Sequence, residues 1–156
     1  MRISKEIQTD TGHRVPNHGG MCCHMHGHRY VIEVAVTGPV SQVTGDAAEG
    51  MVVDFSFLKK LLMDEVHSYM DHHFLCYSGD PFCETLCELD PDGVQVFPYI
   101  PTAENIALWI AEVLIPLLPE GIELADVRVK ETPTSVAIVN VDELSGRILS
   151  HGFQPS

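Results

Sequence analysis

The sequence predicts an α+β domain, and three observations predict it. Alternating apolar segments open and close the chain, two segments with helical periodicity lie between them, and turn signals separate the elements. The 156 residues fit one domain, 1–156, with enough length to bury a core.

Taken in order, Arg2 to Thr9 alternates weakly and reads as a first strand. His28 to Thr37 is the clearest strand, with His28, Tyr30, Ile32, Val34 and Val36 on one face and Arg29, Val31, Glu33, Ala35 and Thr37 on the other. A loop rich in Gly, Asp and Ala follows, from Gly38 to Gly50. Asp54 is an N-cap for a helix to about Met70, in which Leu58, Leu61, Leu62, Val66 and Tyr69 recur at helical spacing. Ser78 to Pro101 is mixed and rich in turn signals, with a short helix from Pro81 to Leu89. Thr102 opens a second long helix through Ile106, Trp109, Ile110, Val113 and Leu114, closed by Pro116 and Pro119. Glu123 to Glu131 and Ser135 to Val141 form a hairpin about Thr132, Pro133 and Thr134. An extended tail, 142–156, shows no strong pattern. The expected architecture is a four-stranded antiparallel sheet with two helices on one face. The face left uncovered predicts oligomerisation.

Composition excludes several functions. No apolar run is long enough to span a bilayer, and Met1 to Asp10 has no apolar signal segment, so a cytoplasmic protein is expected. The net charge of −13, with only nine Lys and Arg, argues against nucleic-acid binding. Five cysteines without an export signal are expected to be thiols rather than disulfides.

The chemistry concentrates in the histidines, five of which lie between His13 and His28. His26 and His28, two residues apart on a strand, point the same way, and Gly27 lets the backbone pass close. His13, at the end of the neighbouring strand, completes a three-histidine set with one coordination position open, the pattern of catalytic zinc. The alternative is a group of surface or hydrogen-bonded histidines, with His18 and His24 among them. Cys22, four residues before His26, is either a fourth ligand or a nucleophile or base, and adjacent Cys23 leaves the choice of thiol open. Cys83 and Cys87, one helical turn apart, and Cys76 are expected to be core thiols rather than a second metal site.

His13-Arg14-Val15-Pro16-Asn17-His18, followed by Cys22-x-x-x-His26-Gly27-His28-x-Tyr30, resembles the 6-pyruvoyl-tetrahydropterin synthase and 6-carboxytetrahydropterin synthase family. Met70-Asp71-His72-His73, Pro101 to Asn105 and Val129 to Thr132 agree in order, so the likeness runs from about Ile3 to Val139. The resemblance implies the tunnelling fold, in which subunits join sheets into a barrel and pair into hexamers with active sites between them. It implies zinc on His13, His26 and His28, Cys22 as the catalytic thiol, and Asp71 with His72 as the partner acid and histidine, serving a neighbour's Cys22. Thr102, Glu104 and Glu131 match pterin contacts, Glu131 being the main anchor. The cysteine spacing resembles the carboxy-forming bacterial branch. Three departures stand out: Thr11 and Gly12 where the family often has two alanines, a longer segment between His73 and Pro101, and the tail from Asn140.

The residues make that chemistry intelligible. A substrate with vicinal hydroxyls suits an open zinc position, a thiolate suits proton abstraction, and a carboxylate-oriented histidine suits proton return. Adjacent Asp71 and His72 are not expected to join tip to tip, which favours a site shared between subunits; the alternative is a helix-terminal charge cluster. Glu131 shares parity with Val127 and Val129, so its carboxylate lies with apolar side chains and needs donors. The paired N–H groups of a pterin edge are one source, and a structural salt bridge is the other. The implied function is a zinc-dependent lyase that turns 7,8-dihydroneopterin triphosphate into 6-carboxy-5,6,7,8-tetrahydropterin for queuosine and 7-deazapurine synthesis. The alternatives are a 6-pyruvoyl-tetrahydropterin synthase, which eliminates triphosphate alone, and a non-catalytic pterin- or zinc-binding protein. Against the acidic net charge, a polyanionic substrate requires the few cations to converge; Arg14 and Arg29 flank two of the proposed ligands and Lys130 precedes Glu131.

Overall fold

The computed structural model describes residues 1–144. In chain order the elements are β1 (Arg2–His13), β2 (His26–Thr37), α1 (Phe55–Leu62), α2 (Ser68–Met70), β3 (Phe74–Tyr77), α3 (Cys83–Leu89), β4 (Val94–Phe97), α4 (Ala103–Leu114), β5 (Glu123–Thr132), β6 (Ser135–Asn140) and α5 (Val141–Leu144). The first few residues of the expected tail thus form a short helix, and 145–156 lie outside the described residues.

β1 and β2 pair antiparallel without a break, from Arg2 opposite Thr37 to His13 opposite His26. Alternation then puts Ile7, Tyr30, Ile32, Val34 and Val36 on one buried face. Asp54 caps α1 by accepting from the Ser56 N–H at 2.6 Å, and Thr102 caps α4 by accepting from the Asn105 N–H at 3.3 Å. The first long helix is not continuous. A wider π turn, Met63–His67, joins α1 to α2. Leu58, Leu62, Val66 and Met70 from this stretch and Ile106, Ile110 and Leu114 from α4 pack onto the same sheet face, against Ile32, Val34, Val127 and Val129. Each such side chain contributes about 1.5–3 kcal/mol by leaving water.

Two long helices on one face agree with expectation, but the sheet does not. Among the described residues it has six strands, in the order β4-β3-β1-β2-β5-β6. The two further strands are parallel to β1: Gly12 faces Phe74, and Phe74 faces Val94. The sheet is therefore mixed, not a four-stranded antiparallel one. Each added strand has only four residues, too few for alternation to stand out from a turn-rich background. A parallel pair also needs a crossover, and α3 supplies it.

The opposite sheet face is mixed, with polar side chains along β1 and β2 and the exposed Val136 and Ile138 on β6. Glu6, Gln8, Asp10 and Arg29 are exposed there, and Arg128 pairs with Glu33 and Asp126. Its apolar exposure is concentrated at the β6 edge rather than spread over the whole face. Among the described residues no helix is long and apolar enough to cross a membrane.

Candidate metal centre and active site

The register of the β1–β2 hairpin builds the centre. His13 lies opposite His26 and Thr11 opposite His28, so all three imidazoles share the helix-covered face. Their ligand atoms lie within 4.8 Å of one another. Gly27 permits this spacing, since a Cβ there would sit 2.8 Å from the Thr11 carbonyl oxygen. Gly12 does the same for β3, where a Cβ would meet Phe74 Cδ2 at 2.8 Å.

Backbone carbonyls orient two of the rings. His13 Nδ1 lies 2.6 Å from the Pro101 oxygen and His26 Nδ1 lies 2.8 Å from the His24 oxygen. A carbonyl only accepts, so each Nδ1 carries the proton and each Nε2 presents a lone pair. His13 is 2% exposed. Burial pushes its pKa down, assisted by His26 and His28 and opposed by Pro101 and Glu131, which keeps the ring neutral. Imidazoles with an Nε2 lone pair turned to a common point fit a divalent ion that accepts nitrogen ligands.

Glu131 belongs to the same centre. Its Oε1 lies 3.7 Å from His13 Nε2, 3.9 Å from His28 Nε2 and 3.3 Å from the Tyr30 hydroxyl. Tyr30 is fully buried, and burial together with Glu131 pushes its phenol up, so it stays protonated. His13 and Glu131 border a cleft of about 250 Å³, lined also by His18, Cys22, Thr102 and Glu104 among others. Of the two adjacent thiols, Cys22 lines this cleft and Cys23 does not. Both substrate-site candidates on α4, Thr102 and Glu104, enter through its N-terminal turn.

Asp71 and His72 are elsewhere. His72 lines a second groove, of about 550 Å³, with Asp10, His28, Arg29 and His73, and neither Cys22 nor Glu131 lines it. The expectation that adjacent Asp71 and His72 stay apart is overturned: His72 Nδ1 lies 2.8 Å from Asp71 Oδ2. Asp71 leaves the helix in an extended conformation and His72 follows with a left-handed φ of 59°, in a turn closed by the His73 N–H on the Met70 carbonyl. Thr11, a departure from alanine, donates to the Met70 carbonyl at 3.0 Å, just before this pair.

The remaining thiols are core elements. Cys76 and Cys83 are buried and Cys87 half-buried, and burial followed by the adjoining Cys83 pushes Cys76 up. Among the described residues the three histidines alone form a compact group of ligands, so the second-metal alternative gains nothing.

Sequence reasoning missed the carbonyls of Pro101 and His24, the Tyr30 hydroxyl, and His67, whose Nε2 lies 3.6 Å from Asp71 Oδ2. The available signals were the strand parity of Tyr30 with His28 and the i,i+4 spacing of His67 and Asp71.

Comparison with known proteins decides the family. Residues 2–142 match the family model described as 6-pyruvoyl tetrahydropterin synthase. The chain belongs to that family. A probable 6-carboxy-5,6,7,8-tetrahydropterin synthase of Halobacterium salinarum is 35% identical over 134 residues, covering 85% of this chain and 82% of the relative. A 6-carboxy-5,6,7,8-tetrahydropterin synthase of Rickettsia bellii is 32% identical over 138 residues, covering 85% and 95%. Among solved structures, an uncharacterized protein of Wolinella succinogenes superposes with a TM-score of 0.74 at 25% identity, covering 90% of this chain and 97% of that one. The 6-pyruvoyl tetrahydropterin synthase of Caenorhabditis elegans gives 0.67 at 25% identity, covering 90% and 94%. The α+β sheet with its helices on one face is thus the fold of this synthase family.

Proposed function

We propose that the chain is a cytoplasmic, zinc-dependent lyase. It converts 7,8-dihydroneopterin triphosphate and water to 6-carboxy-5,6,7,8-tetrahydropterin, acetaldehyde and triphosphate, toward queuosine and other 7-deazapurines. One observation carries this reading: the cleft beside the three-histidine group also holds a thiol, Cys22, and a carboxylate, Glu131. Ring binding alone does not call for Cys22, which weighs against a non-catalytic binder. The relatives at 32–35% identity bear the 6-carboxy name, whereas a 6-pyruvoyl tetrahydrobiopterin synthase of Dictyostelium discoideum is 27% identical, which favours the carboxy product.

His13, His26 and His28 would hold zinc, which when bound acidifies a substrate hydroxyl and stabilises developing negative charge. Glu131 accepts the paired N–H groups of the pterin ring, with Thr102 and Glu104 beside it at the start of α4. Cys22 takes the proton from the side-chain carbon. The proton carrier is His72, held at Nδ1 by Asp71, so that Nε2 is its working nitrogen. His72 is 79% exposed and faces a separate groove, so it serves the Cys22 of a neighbouring subunit. The working form is therefore a homo-oligomer, a hexamer by family resemblance, of a single-domain chain.

Mass spectrometry of the products from dihydroneopterin triphosphate tests the reading. Acetaldehyde with a carboxypterin supports it, a pyruvoyl pterin selects the eliminating synthase, and no turnover by zinc-loaded protein selects the binder.

A further inference from the structure

Tyr30 stands under the cleft with its ring wholly buried, and its hydroxyl reaches two groups. One is His13 Nε2 at 3.2 Å and the other is Glu131 Oε1 at 3.3 Å. Since His13 Nδ1 donates to the Pro101 oxygen, its Nε2 is an acceptor, and so is a carboxylate. One phenolic proton thus faces two acceptors, and only one of them can take it fully. A divalent ion held by the three histidines would engage the His13 Nε2 lone pair and so remove the first acceptor. The hydroxyl then donates to Glu131 alone. The carboxylate gains a fixed orientation, and its other lone pairs remain free to accept from a ligand.

We infer that Tyr30 is a positioning residue that links metal occupancy at the three histidines to Glu131, so that the carboxylate is set for a pterin ring once the metal is bound. The inference rests on the pterin reading given above. It adds an order of events: the centre is loaded first, and the ring is then bound more tightly. The ion's own attraction for Glu131, 3.7–3.9 Å from two of the ligand nitrogens, acts in the opposite direction by drawing the carboxylate away from the ring. Without the Tyr30 hydroxyl, that opposing attraction is what remains.

The test uses 6-methylpterin, which has the ring edge but no side-chain hydroxyl to reach the metal. Fluorescence titration gives its affinity for apo and zinc-loaded protein, in wild type and in Tyr30→Phe. Zinc is expected to tighten binding by about fivefold to tenfold in wild type, within the usual span of coupling between sites. In Tyr30→Phe the gain should vanish or reverse. Linkage requires the reciprocal result, so 6-methylpterin must raise zinc affinity by the same factor in chelator competition. Equal zinc effects in the two proteins overturn the inference, as does a wild-type affinity that zinc leaves unchanged or weakens. Wild type that loads zinc yet binds no ring overturns the underlying functional reading as well, a distinguishable result. Melting curves and zinc content establish that the variant is folded. A second readout needs no Tyr30 variant: the zinc-minus-apo infrared difference spectrum of wild type should contain a carboxylate band that disappears in Glu131→Gln, and its absence overturns the inference.

Discussion

His72 folds back on Asp71, its Nδ1 2.8 Å from Asp71 Oδ2, on a backbone with φ 59°. Histidine is one of the few side chains that tolerates this region, and strain of this kind collects at functional sites. β1 holds both residues. The Asp10 N–H donates to Asp71 Oδ1 at 2.9 Å, and the His72 N–H donates to the Asp10 carbonyl at 2.8 Å.

Asp71→Asn should lower kcat by about 10²–10⁴-fold, the usual worth of a positioned acid–base group. It should also change the acid limb of stability. Burial raises the Asp71 carboxyl, but the Asp10 N–H, the His72 hydrogen bond and the charges of His67 and His72 outweigh it, leaving it below the ordinary value. A carboxyl lowered in the folded state stabilises above its unfolded pKa of about 4, and that contribution is lost as pH falls through the folded value. The Tm gap between wild type and Asp71→Asn should therefore shrink from about pH 5 to pH 3. A gap that widens toward acid would contradict the assignment.

Zinc content should approach one per chain and fall when His13, His26 or His28 becomes Ala. Loss of a ligand is expected to weaken binding by more than the roughly 10–100-fold that outer-shell changes cost. Cys22→Ser should keep the metal and lose turnover. Metal analysis after dialysis reads both, and a Cys22→Ser protein without zinc would make Cys22 a ligand.

Cys22 and His72 border different clefts of one chain, so complementation is testable. Cys22→Ser and His72→Ala should each be inactive alone. Mixed and reassembled in equal amounts, they should recover about a quarter of wild-type activity if each site pairs two subunits at random. A fully active monomer in sedimentation would rule out shared sites.

Glu131→Gln should weaken pterin binding about a hundredfold, because one acceptor oxygen becomes a donor facing donors. The fold should persist, since the carboxylate is a cleft wall rather than part of the apolar core. Titration with a pterin, alongside thermal melting, checks this. Unchanged affinity with a large fall in Tm would assign Glu131 to a structural ion pair with His13 and His28.

What the sequence determined by itself follows from periodicity and local chemistry. A period of two puts His26, His28 and Tyr30 on one strand face, as the register shows, and it puts Glu131 with Val127 and Val129, as the contacts of its carboxylate with His13, His28 and Tyr30 show. Helical spacing marked the two long helices, and Asp54 and Thr102 marked their starts, because caps act within three residues. The tertiary structure alone decided the features that depend on distant backbone. β3 and β4 exist because the Gly12 N–H meets the His73 carbonyl and because α3 carries the chain back for a parallel pairing. Cys22, not Cys23, entered the cleft through a turn that neighbouring residues do not encode by spacing. The proton on His13 was fixed by a carbonyl 88 positions away, at Pro101, and a main-chain oxygen leaves no trace in residue type. Asp71 and His72 met in a turn with extended backbone at the first and a left-handed φ at the second, which contacts from β1 hold in place and no periodic pattern signals.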